Sequence, residues 1–378
     1  MALTAAEKRD IEKSALFGKL RELADEAEKK EAKKIETFSL FVGQPRSGKT
    51  SLLGIMHKGE REVKPTLALD FSFARRTNNK TNQKDVANIW ELGGEIEELA
   101  GVAIPARRLQ KALLGVVVDL SSPVDAVNWL ARWLRFYRSH VSTCLGELRR
   151  ENEETANAMI EAAKRRYGKT KPHPDARSVD PLATPLLIIA NKWDLFKNED
   201  AARKKVVGQA LRYLAHSHGA TLAYASARDK PMQTKFRTLL GYALFLKSDP
   251  KTPPSTDHEA PVYVPVGSDT FAAIAEAGPI AHFGTTHDQA YRVAVQAVTH
   301  AYGIQPVKDF GFVDEDDETK KPDRDDDVDD MWDPKYAEPV IDNLYRQRLD
   351  DLMHKLADAK KQRASRPDNF YWSAANPT

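Results

Sequence analysis

Gly43-Gln44-Pro45-Arg46-Ser47-Gly48-Lys49-Thr50 follows directly on the apolar, β-branched run of residues 35–42, and that junction decides the fold. A strand that ends in Gly-x-x-x-x-Gly-Lys-Thr and continues into helix formers is a phosphate-binding loop. Its glycines let backbone N–H groups close around a phosphate, and the helix N-terminus adds positive potential. Lys49 reaches the β- and γ-phosphates, and Thr50 offers a hydroxyl to Mg²⁺. Ser47 and Ser51 belong to the same phosphate-side set. The alternative is a loop kept for its turn geometry, with an empty pocket.

Outward from this loop, short apolar runs alternate with amphipathic helical stretches, the pattern of a parallel α/β sheet. The strand candidates are residues 35–42, 66–73, 86–92, 112–119, 185–191 and 221–225, a six-stranded, mostly parallel sheet with helices on both faces, closing near Leu246. The domain is expected over residues 35–250, with a helical insertion at 123–180. In that insertion Trp129, Trp133, Phe136, Tyr137, Val141, Cys144, Leu145 and Leu148 form one helical stripe, read as core or as partner surface. The proline-rich residues 250–265 read as an extended crossing segment and 286–302 as an amphipathic helix, within a 251–313 extension packed on the domain. Residues 314–330 are dominated by Asp and Glu and form an acidic linker, 331–378 a helix and tail, and 1–34 a charged helix. The aromatic stripe and the two late helices add apolar faces, some of which are expected to meet a partner.

The chain has 378 residues, with 57 Lys+Arg against 55 Asp+Glu. A net charge of +2 disfavours a nucleic-acid-coating protein. No apolar run approaches the roughly 18 residues of a membrane span, so no membrane insertion is expected. The N-terminus lacks a signal-peptide pattern and the single cysteine, Cys144, cannot form an internal disulfide, which together suggest a reducing, cytosol-facing compartment.

A phosphate loop does not choose between ATP and GTP. Asn191-Lys192-Trp193-Asp194, after the fifth strand, does. Asp194 would accept from guanine N1–H and the 2-amino group, a donor pair adenine lacks. Asn191 would tie this loop to the phosphate loop, and the Lys192 stem would cover the ring. Ser226-Ala227-Arg228, after the sixth strand, is similar to the small-GTPase loop whose backbone N–H reads guanine O6. Thr66 stands where small GTPases place the threonine that ligates Mg²⁺, and Glu91-Leu92-Gly93-Gly94-Glu95 where they carry Asp-x-x-Gly-Gln. Here Glu91 is one methylene longer than aspartate, and Glu95 replaces the glutamine that positions the attacking water. Slow hydrolysis is expected. The ligand expected is GDP or GTP with Mg²⁺ on Thr50 and Thr66, with an empty pocket as the alternative.

Other candidates carry less chemistry. His216 and His218 end a helix, two residues apart and so on different faces, with no cysteine or carboxylate at metal spacing; they read as helix C-terminal charges or packing. Arg75, Arg76, Lys80 and Lys84 make a basic stretch, read as a solvated loop or a docking patch.

The blocks at residues 41–50, 65–76, 84–94 and 211–220 resemble the cytoplasmic dynein light intermediate chains, closest to the form in the ciliary motor, cytoplasmic dynein 2. His173-Pro-Asp, Asp180-Pro and Asp333-Pro-Lys-Tyr-Ala-Glu carry the likeness on to about Leu352. The resemblance implies a non-catalytic, Ras-like G domain that docks on the dynein 2 heavy-chain tail and stabilises it. Other dynein 2 subunits and intraflagellar-transport particles are the further partners it implies. It places the chain in the cytoplasm, cilium or flagellum, basal body and cytoskeleton. By position, Gly43 to Thr50 correspond to the family's phosphate loop and Glu91 to Gly94 to its divergent switch block. The intact Asn191 to Asp194 motif departs from ciliary members, in which it is often eroded. A regulated guanine-nucleotide switch is the rival reading.

Overall fold

A computed structural model describes residues 35–56, 66–78, 83–94, 96–167, 173–246, 252–280, 284 and 286–304. The expected N-terminal helix, acidic linker and late helix, together with Lys80 and Glu95, lie outside the described residues.

Among the described residues seven strands form one sheet: β1 (Glu36–Gly43), β2 (Leu69–Asn78), β3 (Gln83–Leu92), β4 (Ala112–Asp119), β5 (Leu186–Asn191), β6 (Ala220–Tyr224) and β7 (Tyr263–Val264). Their order is β2-β3-β1-β4-β5-β6-β7. The five central strands are parallel, while β2 and β7 run antiparallel at the two edges. The inner strands read clearly in sequence because a parallel strand buried on both faces is a continuous apolar run; every residue of β4 is buried.

Two edge features correct the sequence reading. The sheet has seven strands rather than six, because Tyr263–Val264, between Pro261 and Pro265, pairs with β6 inside the stretch expected only to cross over. Two residues between prolines hold no alternation to read, and proline is tolerated there because the strand is an edge. The second strand lies at Leu69–Asn78 rather than 66–73, so Arg75 and Arg76 belong to a strand and not to a loop. Arg76 pairs with fully buried Asp85 at 2.8 Å and lies over the Phe245 ring, whereas Arg75 is exposed on the edge, where a charge discourages unwanted pairing.

The helices are α1 (Lys49–Gly54), α2 (Ala100–Ala103), α3 (Ala106–Leu109), α4 (Pro123–Glu151), α5 (Glu153–Lys164), α6 (Trp193–Phe196), α7 (Ala201–His218), α8 (Lys230–Leu244), α9 (Phe271–Glu276) and α10 (His287–Ala301). None of the described helices is long and apolar enough to cross a membrane. One core layer packs α4, α7 and α10 against Leu40, Val42, Leu114 and Val116; the other packs α1 and α8 against Phe41, Leu113 and Val117. The α4 stripe is core: Trp133 and Tyr137 are fully buried, and the Tyr137 hydroxyl donates to the carbonyls of Leu40 at 2.8 Å and Gly115 at 3.1 Å. Cys144, on the same stripe, is 4% exposed. Tyr291, Ala294 and Val298 of α10 are buried in that layer too. Most of the apolar stripe of these two helices is therefore used within the chain, while Trp129, Phe136 and Leu145 are only partly buried.

α7 holds the segment between β7 and α10 by polar contacts. Gln209 Nε2 donates to the Ile274 and Ile280 carbonyls, and its Oε1 accepts from Ile280 N–H. Arg212 grips the Asp269 carboxylate with two bonds of 2.7 and 2.8 Å, both side chains being almost fully buried. His216 and His218 are packing rather than exposed charges. His218 Nδ1 donates to the Leu214 carbonyl, and Nε2 bonds to the Tyr291 hydroxyl at 2.6 Å.

Burial lowers the pKa of His216 below its ordinary 6.5, with Asp175 opposing; it lowers His218 further, helped by Arg138 and His287. The folded chain thus binds fewer protons than the unfolded chain on the acid side of 6.5. Stability is fully present above the unfolded value and is lost as pH falls through and below it. The melting temperature is expected to drop between about pH 7.5 and pH 5.5, and His218→Gln to flatten part of that slope. A profile identical in the wild type and the variant contradicts this assignment.

Candidate functional site

β1 delivers its last residue, Gly43, to the top edge of the sheet with φ 143°, and a Cβ there would stand 1.9 Å from the Val117 carbonyl oxygen. Only glycine lets the loop leave β1 so close to β4. Gly48, at φ 85°, begins α1. Between them Lys49 Nζ donates to the carbonyls of Gly43 and Gln44, both at 3.1 Å, bracing the loop from inside.

The second loop meets the first directly. Asn191, at the end of β5, donates from Nδ2 to the Ser47 carbonyl at 2.7 Å, across 144 residues of sequence. Ser47 Oγ and Asn191 Oδ1 are buried without a hydrogen-bond partner among the described residues. Ser226, at 0% exposure, donates from Oγ to Asp194 Oδ1 at 2.6 Å, fixing the carboxylate between the ends of β5 and β6. Lys192 has φ 65° and its ammonium pairs with Asp119, the last residue of β4. Asp119 N–H in turn donates to Gln44 Oε1 at 3.2 Å. In sequence the signal for Asp119 is only an acid closing an apolar strand, and Gln44 occupies a variable position of the phosphate loop.

The third group of residues surrounds Glu91, which ends β3 next to Leu92 and is 5% exposed. Thr50 Oγ1 donates to Glu91 Oε1 at 2.6 Å and Thr66 Oγ1 to the same oxygen at 3.3 Å. Burial raises the Glu91 pKa, against the two hydroxyls and the Lys49 charge; burial lowers that of Lys49, with Glu91 opposing. The two switch segments also touch through backbone. Gly93 N–H donates to the Ala68 carbonyl at 2.6 Å, and a Cβ on Gly93 would stand 2.0 Å from the Thr66 carbonyl oxygen. Gly94 follows at φ 71°. Ser51, in α1, and Ala227, after Ser226, lie beside these groups in sequence, and Gln233 Nε2 donates to the Ala227 carbonyl.

These residues fit a guanine nucleotide. Ser47 Oγ and Asn191 Oδ1, unpaired among the described residues, line the phosphate loop, and Asp194 is held in a fixed orientation by a neighbour that is itself buried. Thr50, Thr66 and Glu91 supply hard oxygen donors of the kind Mg²⁺ takes. Bound there, the ion would neutralise phosphate charge.

Strand order, phosphate loop and the Asn191–Asp194 loop together define a G-protein-like α/β domain. The chain belongs to the dynein light intermediate chain family. Residues 20–175 match that family. The cytoplasmic dynein 2 light intermediate chain 1 of Danio rerio is 30% identical over 334 residues, covering 85% of this chain and 86% of the relative. The protein of the same name from Homo sapiens is 28% identical over 348 residues, 90% of this chain and 91% of the relative. The crystal structure of the dynein light intermediate chain's conserved domain aligns at a TM-score of 0.54, covering 72% of this chain and 99% of that one. At 16% identity this is a likeness of fold.

Proposed function

We propose that the chain is a non-catalytic light intermediate chain subunit of cytoplasmic dynein 2. It docks on the heavy-chain tail and stabilises it, serving retrograde intraflagellar transport and cilium assembly. Its partners in this reading are the heavy chain, the other dynein 2 subunits and intraflagellar-transport particles; its place is the cytoplasm, the cilium or flagellum with its basal body, and the microtubule cytoskeleton. The likeness to dynein 2 relatives across most of the chain supports the assignment. The observation that carries the non-catalytic part is Glu91. Its carboxylate accepts from Thr50 and Thr66 where small GTPases carry the shorter metal-side aspartate, and Glu95 stands in place of the glutamine that positions the attacking water.

In this reading GDP or GTP with Mg²⁺, held by Lys49, Thr50, Thr66, Asn191 and Asp194, is a folding cofactor. A ligand that binds only the folded state stabilises it by about 4 kcal/mol at a thousandfold excess over Kd. A second reading, a slow guanine-nucleotide switch, is favoured by the Ser226–Asp194 pair and by Thr66. Identifying the nucleotide released on denaturing purified protein separates them: GDP alone supports the cofactor, and freely exchanging GTP supports the switch.

For assembly, the expected result is that deleting residues 314–378 weakens but does not abolish heavy-chain co-purification, because the G-like domain is the main anchor. Trp133→Asp, which places a charge in the core beneath α4, is expected to abolish it. Complete loss of heavy chain on deletion, with circular dichroism unchanged, would put the anchor in the other segment.

A further inference from the structure

The cluster that the phosphate site leaves unused lies at the far end of α7. His173, Asp175 and His216 each bring one ligand-capable atom to within 4.8 Å of the other two. No carboxylate stands at metal spacing from His216 along the chain; the fold supplies one from 41 residues away. Residues 173–179 form tight turns, with the His173 carbonyl accepting from Ala176 N–H and the Asp175 carbonyl from Ser178 and Val179 N–H. These turns set the two side chains against α7.

The surrounding bonds orient all three groups. His173 Nε2 lies 2.9 Å from the Asp269 carbonyl, to which it can only donate, so Nδ1 keeps its lone pair and accepts from Asp175 N–H at 3.2 Å. Asp175 Oδ2 accepts from Phe271 N–H at 2.8 Å and lies 2.9 Å from His216 Nε2. Arg212 and Asp269 next to the cluster neutralise each other, leaving Asp175 as its own net charge. A histidine whose second ring nitrogen is spent on a backbone carbonyl, beside a carboxylate held by a backbone amide, matches the outer shell that positions metal ligands.

We propose that His173, Asp175 and His216 form a divalent transition-metal site, filled by Zn²⁺, that clamps the 173–180 turns and the start of α9 to α7. Two imidazole nitrogens and one carboxylate oxygen suit zinc and its neighbours rather than Mg²⁺ or Ca²⁺. Tetrahedral zinc sets neighbouring donors about 3.3 Å apart, from bonds of about 2.0–2.1 Å. His216 and Asp175 already approach that spacing, with the ion replacing the proton between them. The ion takes the His173 Nδ1 lone pair in place of Asp175 N–H, and the wider separations close by a shift of the 173–175 turn that keeps Nε2 on the Asp269 carbonyl. Water takes the fourth position from the side on which Asp175 is partly exposed.

The test uses the full chain, free of any affinity tag and stripped by chelator. Zn²⁺ is titrated calorimetrically, and Co²⁺ is added as a spectroscopic probe. One saturable Zn²⁺ per chain, a raised melting temperature and the visible absorption of tetrahedral Co²⁺ are expected. His173→Gln and Asp175→Asn, each close in shape to the original, are expected to lower zinc affinity at least about tenfold. Arg107→Gln, exposed on α3 and outside both clusters, is expected to leave zinc affinity unchanged. His216→Gln tests the third ligand; if it does not fold, the other two variants and the wild-type cobalt spectrum decide. No saturable zinc in the wild type, or equal affinity in His173→Gln and Asp175→Asn, overturns the site and leaves a hydrogen-bonded polar plug.

Discussion

Asp269→Ala is expected to lower the free energy of unfolding by about 3–5 kcal/mol, because it strands the Arg212 guanidinium in a site where both partners are almost fully buried. Against a total stability of about 5–15 kcal/mol, that loss places the variant near its folding threshold. The carboxylate holds Arg212 through two bonds, so no single water can replace it. Replacing both partners with apolar residues of similar volume, Arg212→Met with Asp269→Leu, is expected to recover much of the loss, since the cost lies in the unpaired charge rather than in the absent bond. Urea denaturation measures both. A loss under about 1 kcal/mol for the single variant shows that solvent reaches the guanidinium.

The other large effect is a change of nucleotide. Asp194→Asn is expected to weaken GDP binding by about 3–6 kcal/mol, on the order of 10²–10⁴-fold, as two charge-assisted bonds to the guanine edge are lost. Xanthosine diphosphate should gain in return, because its 2-oxo group accepts from the new amide. Ser226 Oγ uses one lone pair of Asp194 Oδ1 and so fixes the plane of the carboxylate, whose remaining lone pairs are free to accept from a base edge. Calorimetry with GDP, xanthosine diphosphate and ADP checks the ranking. Equal affinity of the wild type for ADP and GDP ends the guanine assignment.

Sequence exposed those parts of the molecule whose signals are local. β4 is a run of eight buried residues, and its limits, Ala112–Asp119, are read directly from the chain. The phosphate loop is legible because every fixed position lies within eight residues. Asn191 and Asp194 are found by the same logic, whereas their partners Ser47 and Ser226 become partners only when β1, β5 and β6 align. The features that escaped are of two kinds. β7 and the extension of β2 lie at sheet edges, where proline and arginine are tolerated and the apolar signature fades. His173, Asp175, Arg212, Asp269 and His216 form contacts across tens of residues, and none carries a periodic pattern that marks it as buried. For His216 and His218 sequence leaves helix-end charge and packing as alternatives, and burial against Phe271 and Tyr291 decides for packing.

Cys144 gives the molecule a built-in reporter. Its thiol faces the Ile104 carbonyl beneath α4, and burial raises its pKa to about 11, so little thiolate exists in the folded chain near neutral pH. Alkylating reagents attack the thiolate and need access to it. As the chain has one cysteine, the rate of its labelling under native conditions counts the openings of the layer between α4 and the sheet, with no background from any other thiol.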